Sequence, residues 1–156
     1  MALTYTLTLA GEITAEAIIE RAFPNPSERP VFGLSGVSMA AAIEETLGFS
    51  LYVLPVADGY LEAGADGEAW SWEPGACVDV TFRLAGGDEH EHAASMRNMM
   101  TLVYRLLDTG AEPAAFVFND DTLLLRRDAE GVHRFSGGGF WGALAAIERG
   151  APSRAA

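Results

Sequence analysis

The run Asp88-Glu89-His90-Glu91-His92 is the densest set of metal-ligating side chains in the sequence. Imidazole and carboxylate together suit a divalent transition metal, or a hydrolytic centre built on one. On a helix the spacing opposes this, because residues two apart project about 200° from one another and cannot meet at one ion. His133, the third histidine, is distant in sequence. The run therefore reads first as an acid-rich helix start, and a small metal-binding domain or enzyme using His90 and His92 stands as an alternative. No cofactor and no metal ligand set is assigned.

Three other groups are weighed in the same way. Cys77 is the single cysteine, which excludes an internal disulfide and fits a reducing cytoplasm. A nucleophilic thiolate needs a histidine and an electropositive setting. His133 could supply the first across a sheet, but the acids around Cys77 oppose the second. Asp120 and Asp121 form a carboxylate pair whose position between two apolar runs is that of a hairpin turn. Ser136-Gly137-Gly138-Gly139-Phe140 precedes a helix but has neither a lysine nor the spacing of a phosphate-cradling loop. The chain is accordingly read as a non-enzyme.

Trp70 and Trp72 share one face of an expected strand and are flanked by Glu62, Asp66, Glu68 and Glu73. Aromatic anchors ringed by charge have the make-up of a protein-binding hot spot, and these six residues are the candidate docking face. Two large aromatics also commonly fill a small core. Together with Trp141 they could instead bury a self-interface, which would make the chain a self-associating structural module.

These residues must be held by elements that the apolar pattern outlines. Leu3, Tyr5, Leu7 and Leu9 alternate with threonines, the period of a half-buried strand. Thr14 caps a short helix over Ala15 to Phe23, which Pro24 and Pro26 stop. Val31 to Leu34 is a short strand, and Ser38 caps a second helix over Met39 to Leu47. Phe49 to Val56 is a strand, Asp58-Gly59 a turn, and Tyr60 to Ala63 the return. After a further turn at Gly64 to Gly67, Ala69 to Glu73 and Ala76 to Leu84 are two strands joined at Pro74-Gly75. The strongest helix spans Asp88 to Thr109, with Met96, Met99, Met100, Val103, Leu106 and Leu107 at three-and-four spacing. Strands at Ala114 to Phe118, Leu123 to Arg127 and Val132 to Phe135 form a meander, and Phe140 to Glu148 a last helix. The fold class expected is α+β, an antiparallel sheet with helices packed on one face. It forms one domain over residues 1–149, with a frayed tail at 150–156.

The charge has a direction along the chain. Of a net −12, residues 1–92 hold 15 acids and 3 arginines, while residues 93–156 hold 7 of each. Between Glu44 and Glu91 lie 11 acids against Arg83 alone. A surface made from that stretch repels nucleic acid and anionic membrane, and attracts a basic protein. Acidity also serves plain solubility. The N-terminal residues have no basic segment followed by an apolar run, so no signal peptide is expected, and no stretch is apolar for long enough to span a bilayer. The cytoplasm is the expected location.

The opening Leu3-Thr4-Tyr5-Thr6-Leu7-Thr8-Leu9 and the Leu47-Gly48-Phe49 step belong to a wider pattern. It continues through the Arg97 to Leu107 helix, the Phe116 to Asp121 strand and turn, the Leu123 to Arg127 strand and Trp141. In this order the chain resembles the immunity proteins of the myxobacterial swarming-inhibition toxin (Sit) system and their relatives in soil bacteria. That resemblance implies a small cytoplasmic protein that neutralises a cognate toxin delivered by a neighbouring cell. It supplies no catalytic residues. The segment Leu51 to Gly75 is longer than the pattern implies.

Overall fold

The computed structural model describes residues 3–149; the tail expected at 150–156 lies outside the described residues. The elements are β1 (Leu3–Ala10), α1 (Ala15–Ala22), β2 (Gly33–Ser35), β3 (Ser38–Ile43), β4 (Phe49–Ala65) and β5 (Glu68–Leu84). They continue as α2 (Glu89–Asp108), β6 (Ala114–Phe118), β7 (Thr122–Asp128), β8 (Gly131–Arg134) and α3 (Phe140–Glu148). The strands form one eight-stranded sheet in the order β2-β3-β4-β5-β1-β6-β7-β8. Every neighbouring pair in that order is antiparallel. The fold class is α+β, as the residue pattern predicts.

β1 lies inside the sheet, and its alternation decides its two faces. Tyr5, Leu7 and Leu9 are buried in the main core with Phe82 and Phe116 from the strands beside it and Phe49 from β4. α2 closes that core with the apolar stripe its spacing predicts: Met96, Met99, Met100, Val103, Leu106 and Leu107 are all buried. Its N-terminus is a capping box, in which Asp88 accepts from the Glu91 amide and the Glu91 carboxylate accepts from the Asp88 amide. The exchange satisfies two donors that a helix start leaves open. Ile18, Ile19 and Ala22 of α1 join the core, and Thr14 caps that helix by accepting from Ala17 N at 3.1 Å.

Two expectations are corrected. Met39 to Ile43 is not helical; it is strand β3, paired with β4 from Met39↔Val53 to Ile43↔Phe49. The alanines there favour a helix in isolation, but as a strand the segment turns Ala41 and Ile43 into the core and satisfies its backbone on β4. The region 49–84 is not four strands. β4 and β5 are each 17 residues long and form one hairpin, whose turn is Asp66-Gly67. Both turn residues have positive φ, +52° and +87°, the conformation that a two-residue hairpin turn requires. Asp58-Gly59 and Pro74-Gly75 lie within the strands, where the register shifts.

The helix layer is fastened by arginines. Arg21 donates to Glu112 at 3.0 Å, to the Leu106 carbonyl at 2.6 Å and to Thr109 at 3.0 Å. Arg127 donates to the Leu107 carbonyl at 2.6 Å and the Glu112 carbonyl at 2.9 Å, and its guanidinium lies 3.6 Å from the Glu112 carboxylate. Two cations thus meet the carbonyls at the C-terminus of α2, where orphan acceptors and the helix dipole favour positive charge. Burial pushes the Glu112 carboxyl up, but hydrogen bonds from Arg21 and the charges of Arg21 and Arg127 outweigh it and hold the group below its ordinary value of 4.5.

Gly48 joins the sheet to this layer. Its φ is +95°, and a Cβ there would overlap Ser95 Oγ and lie 2.8 Å from Ser95 Cβ. Beside it, Asn98 of α2 donates to the Leu47 carbonyl at 3.1 Å. Gly48→Ala is expected to lower stability by about 2–4 kcal/mol through backbone strain and overlap, read as a lower urea midpoint at unchanged slope. Glu112→Gln is expected to cost about 2 kcal/mol at neutral pH. Because the folded group is held below its ordinary value, that difference is complete above about pH 4.5 and shrinks as pH falls through the lowered value. Urea titrations of both chains from acid to neutral pH measure it.

Candidate protein-binding site

β5 pairs with β1 only from Cys77 to Leu84, so the outer half of the β4–β5 hairpin has no sheet neighbour along that edge. It bends into an arm. Between Val56↔Cys77 and Leu61↔Trp72 the register shifts twice, around Gly59↔Gly75. Bulges of this kind kink a strand and increase its twist. Gly59 allows the close approach: a Cβ there would lie 2.6 Å from Cys77 Sγ and 3.0 Å from Pro74 Cγ.

The bend carries the arm across the outer face of β6 and β7. Leu61, Ala63, Ala65, Trp70 and Trp72 pack on a second buried cluster formed by Ala115, Val117 and Leu123. β6 is consequently buried on both faces, which accounts for its unbroken apolar run. Gly64 N donates to the Asp121 carbonyl at 2.8 Å, and Gly64 pairs with Thr122 in parallel sense. Asp66 at the tip accepts from Ser136 N at 2.7 Å and from Ser136 Oγ at 2.6 Å. Those bonds, the side-chain one first, hold its carboxyl below the usual range.

The six residues proposed for docking all lie on this arm, but they do not share one face. Glu62, Asp66, Glu68 and Glu73 are exposed. Trp70 and Trp72 are half-buried, with ring centroids 6.3 Å apart, and face the second cluster. Trp141 is also half-buried: its indole donates to the Leu124 carbonyl at 3.2 Å and Arg134 sits 4.1 Å above its ring.

Between the arm and the sheet lies a cleft of about 450 Å³. Val56, Leu61 and Val117 contribute apolar wall, and Asp58, Glu62, Asp79 and Asp120 contribute carboxylates. Asp79 is the group that the alternation of β5 did not single out. Its place opposite Thr8 in β1 lets Thr8 Oγ1 donate to Asp79 Oδ1 at 2.6 Å. Burial, with help from the Asp120 charge, raises its pKa against the lowering effect of the Thr8 bond.

The charge asymmetry has a structural basis. The ion pairs among the described residues are Arg21–Glu112, Arg127–Glu112, Arg126–Asp128 and His133–Asp128. None includes an acid from the Glu44 to Glu91 stretch. Arg29 and Arg105 donate to the carbonyls of Phe23 and Ala22. Arg21, Arg29, Arg105 and Arg127 are engaged in holding the helix side together, and among the described residues the acids of the arm and cleft have no ion-pair partner.

The other chemical candidates separate. His90 and His92 fall in the first turn of α2, two residues apart, the spacing that sends them to different directions. Asp128, Glu130 and His133 do bring ligand atoms within 4.8 Å of one another. There Asp128 Oδ2 accepts from Arg126 at 2.8 Å, and Asp128 Oδ1 accepts from Glu130 N at 2.9 Å and lies 3.4 Å from His133 Nε2. Cys77 is buried; burial and then the Asp79 charge push its thiol up to about 11, the wrong direction for a nucleophile. His133 lies on β8, separated from β5 by β1, β6 and β7. Asn119 and Asp120 both have positive φ and form the β6–β7 turn.

Taken together these features define a class: an α+β protein with a long hairpin folded back as an arm over its own sheet, and a cleft lined by carboxylates beneath it. A family model described as SitI3-like matches residues 3–143. The chain belongs to this family of Sit immunity proteins. No curated protein and no solved structure matches it at a significant level. No helix among the described residues is long and apolar enough to cross a membrane.

Asp79 carries a stability signature. A carboxyl raised by burial penalises the folded state above its folded pKa, and the penalty disappears below the unfolded value of 3.8. Asp79→Asn, which keeps an acceptor for Thr8, is expected to raise the melting temperature by a few degrees at pH 7 and to leave it unchanged near pH 3. Calorimetry at the two pH values checks the sign.

Proposed function

We propose that this protein neutralises a cognate bacterial toxin in the cytoplasm by binding it through an acidic surface, with no chemistry of its own. The observation that carries this reading is the family match over nearly the whole described chain. The distribution of charge supplies a physical means. A surface whose acids lack internal counter-charges accelerates encounter with a basic partner and disfavours nucleic acid and anionic lipid. Glu62, Asp66, Glu68 and Glu73 on the arm are proposed as the residues that meet the toxin, with Trp70 and Trp72 beneath as the packing that holds the arm in place.

Co-expression with the product of the adjacent reading frame tests the proposal. The expected outcome is a complex that survives gel filtration at low salt, with a Kd rising about tenfold or more between ~0.05 M and ~0.5 M salt. Separate elution of the two proteins at low salt overturns it.

A further inference from the structure

The inner face of the sheet is covered by helices, and part of the outer face lies under the arm. The outer face of β3, β4 and the Cys77 to Leu84 part of β5 carries no such cover. β4 sets Tyr52 and Leu54 on it, 41% and 45% exposed, and Tyr60 at the cleft mouth, 56% exposed. Tyr52 pairs across the sheet with Thr81 and Leu54 with Asp79. An apolar strip therefore runs along β4 directly into the acid-lined cleft.

We propose that this bare sheet face is the docking surface for an arginine-bearing segment of a protein partner. The segment's apolar side chains lie along Tyr52 and Leu54, and one guanidinium enters the cleft between Asp58, Asp79 and Asp120. The inference rests on the immunity reading for the identity of the partner, and on the surface itself for the chemistry.

Charge complementarity selects the occupant. The cleft carboxylates have no ion-pair partner among the described residues. Asp79 has one oxygen held by Thr8, and Asp79 and Asp120 line the same cleft. A guanidinium is planar, forks across two carboxylates, and stacks on an aromatic ring such as that of Tyr60 at the rim. Its aliphatic stem fits the apolar wall of Val56, Leu61 and Val117. A second copy of this chain is disfavoured, because each carries a net charge of −12. Arg83 is the one cation on this face; it lies opposite Ser50, at the end away from the cleft.

The probe is an acetylated, amidated Arg-Val-Arg-Val-Arg peptide, titrated into the full chain and followed by amide chemical shifts. The expected shifts gather at Tyr52, Leu54, Asp58 and Asp79. Leu54→Ser and Asp79→Asn are each expected to weaken peptide binding about tenfold, while Glu20→Gln, on the exposed side of α1, changes it less than about twofold. Asp79→Asn should do so while making the chain more stable, a combination that loss of structure cannot produce. Shifts spread evenly over the arm tip and the start of α2, or unchanged affinity in Leu54→Ser, overturn the proposal. With the toxin from the adjacent frame, a complex indifferent to both substitutions also overturns it. Failure of the unsubstituted chain to bind that toxin overturns the immunity reading instead, and the peptide titration still decides the surface.

Discussion

A hairpin of two 17-residue strands beside an eight-residue central strand cannot find a sheet neighbour along its whole length, and the rest of the structure follows from how that mismatch is resolved. Where β1 ends, β5 would project as an unpaired edge carrying Trp70 and Trp72. Long exposed edges of that kind invite pairing with other chains. Here the hairpin bends at Gly59 and Pro74-Gly75, lays its tryptophans on β6 and β7, and pairs Gly64 with Thr122. The bend creates the second cluster, buries β6 on both sides and leaves a cleft under the arm. One local device, a pair of register shifts with a glycine that admits no Cβ, produces each of these.

The same arrangement separates the charges. On the helix side, arginines reach backbone carbonyls and Glu112 at the points where α1, the end of α2 and the start of β6 converge. These contacts combine ion pairing with capping of carbonyls that have no other partner, which is where a partly buried guanidinium contributes most. On the arm and the cleft there is no such pairing. Among the described residues the carboxylates of the arm and cleft therefore have no ion pair, while Arg21 and Arg127 share Glu112 on the helix side.

Much of this was legible in the residues. β1, α1, α2, α3 and the β6–β8 meander follow from apolar periods, from Thr14 as a cap and from the acids that open α2, all of them local signals. What escaped depends on distant contacts. Met39 to Ile43 has the composition of a helix, and only its pairing to β4 makes it a strand. Asp58-Gly59 and Pro74-Gly75 are turn dipeptides by composition, and the same left-handed and kinked conformations serve bulges as well as reversals. Once the hairpin was divided into short strands, the face taken by Trp70 and Trp72 could not be decided. Asp79 alternates outward in β5, as its pattern implies, but its burial comes from Thr8 and from an arm folded back from residues before and after it. A docking face chosen from one stretch of sequence thus named residues that the fold divides between an exposed rim and a packed support.

That division bears on how such a protein can change partners. Stability resides in the helix-side core, the arginine contacts and the buried inner face of the arm, of whose packing residues Leu61 and Val117 also line the cleft. The exposed positions Tyr52, Leu54, Asp58, Tyr60 and Glu62 make few contacts that the fold requires, and substitutions at such positions shift stability by only about 0.5 kcal/mol. A partner specificity written there can be rewritten without unfolding the chain, provided that Gly59 and the second cluster keep the arm where it is. The hinge is then under tighter constraint than the surface it positions, since a change at Gly59 moves every recognition residue at once while a change at Leu54 moves one.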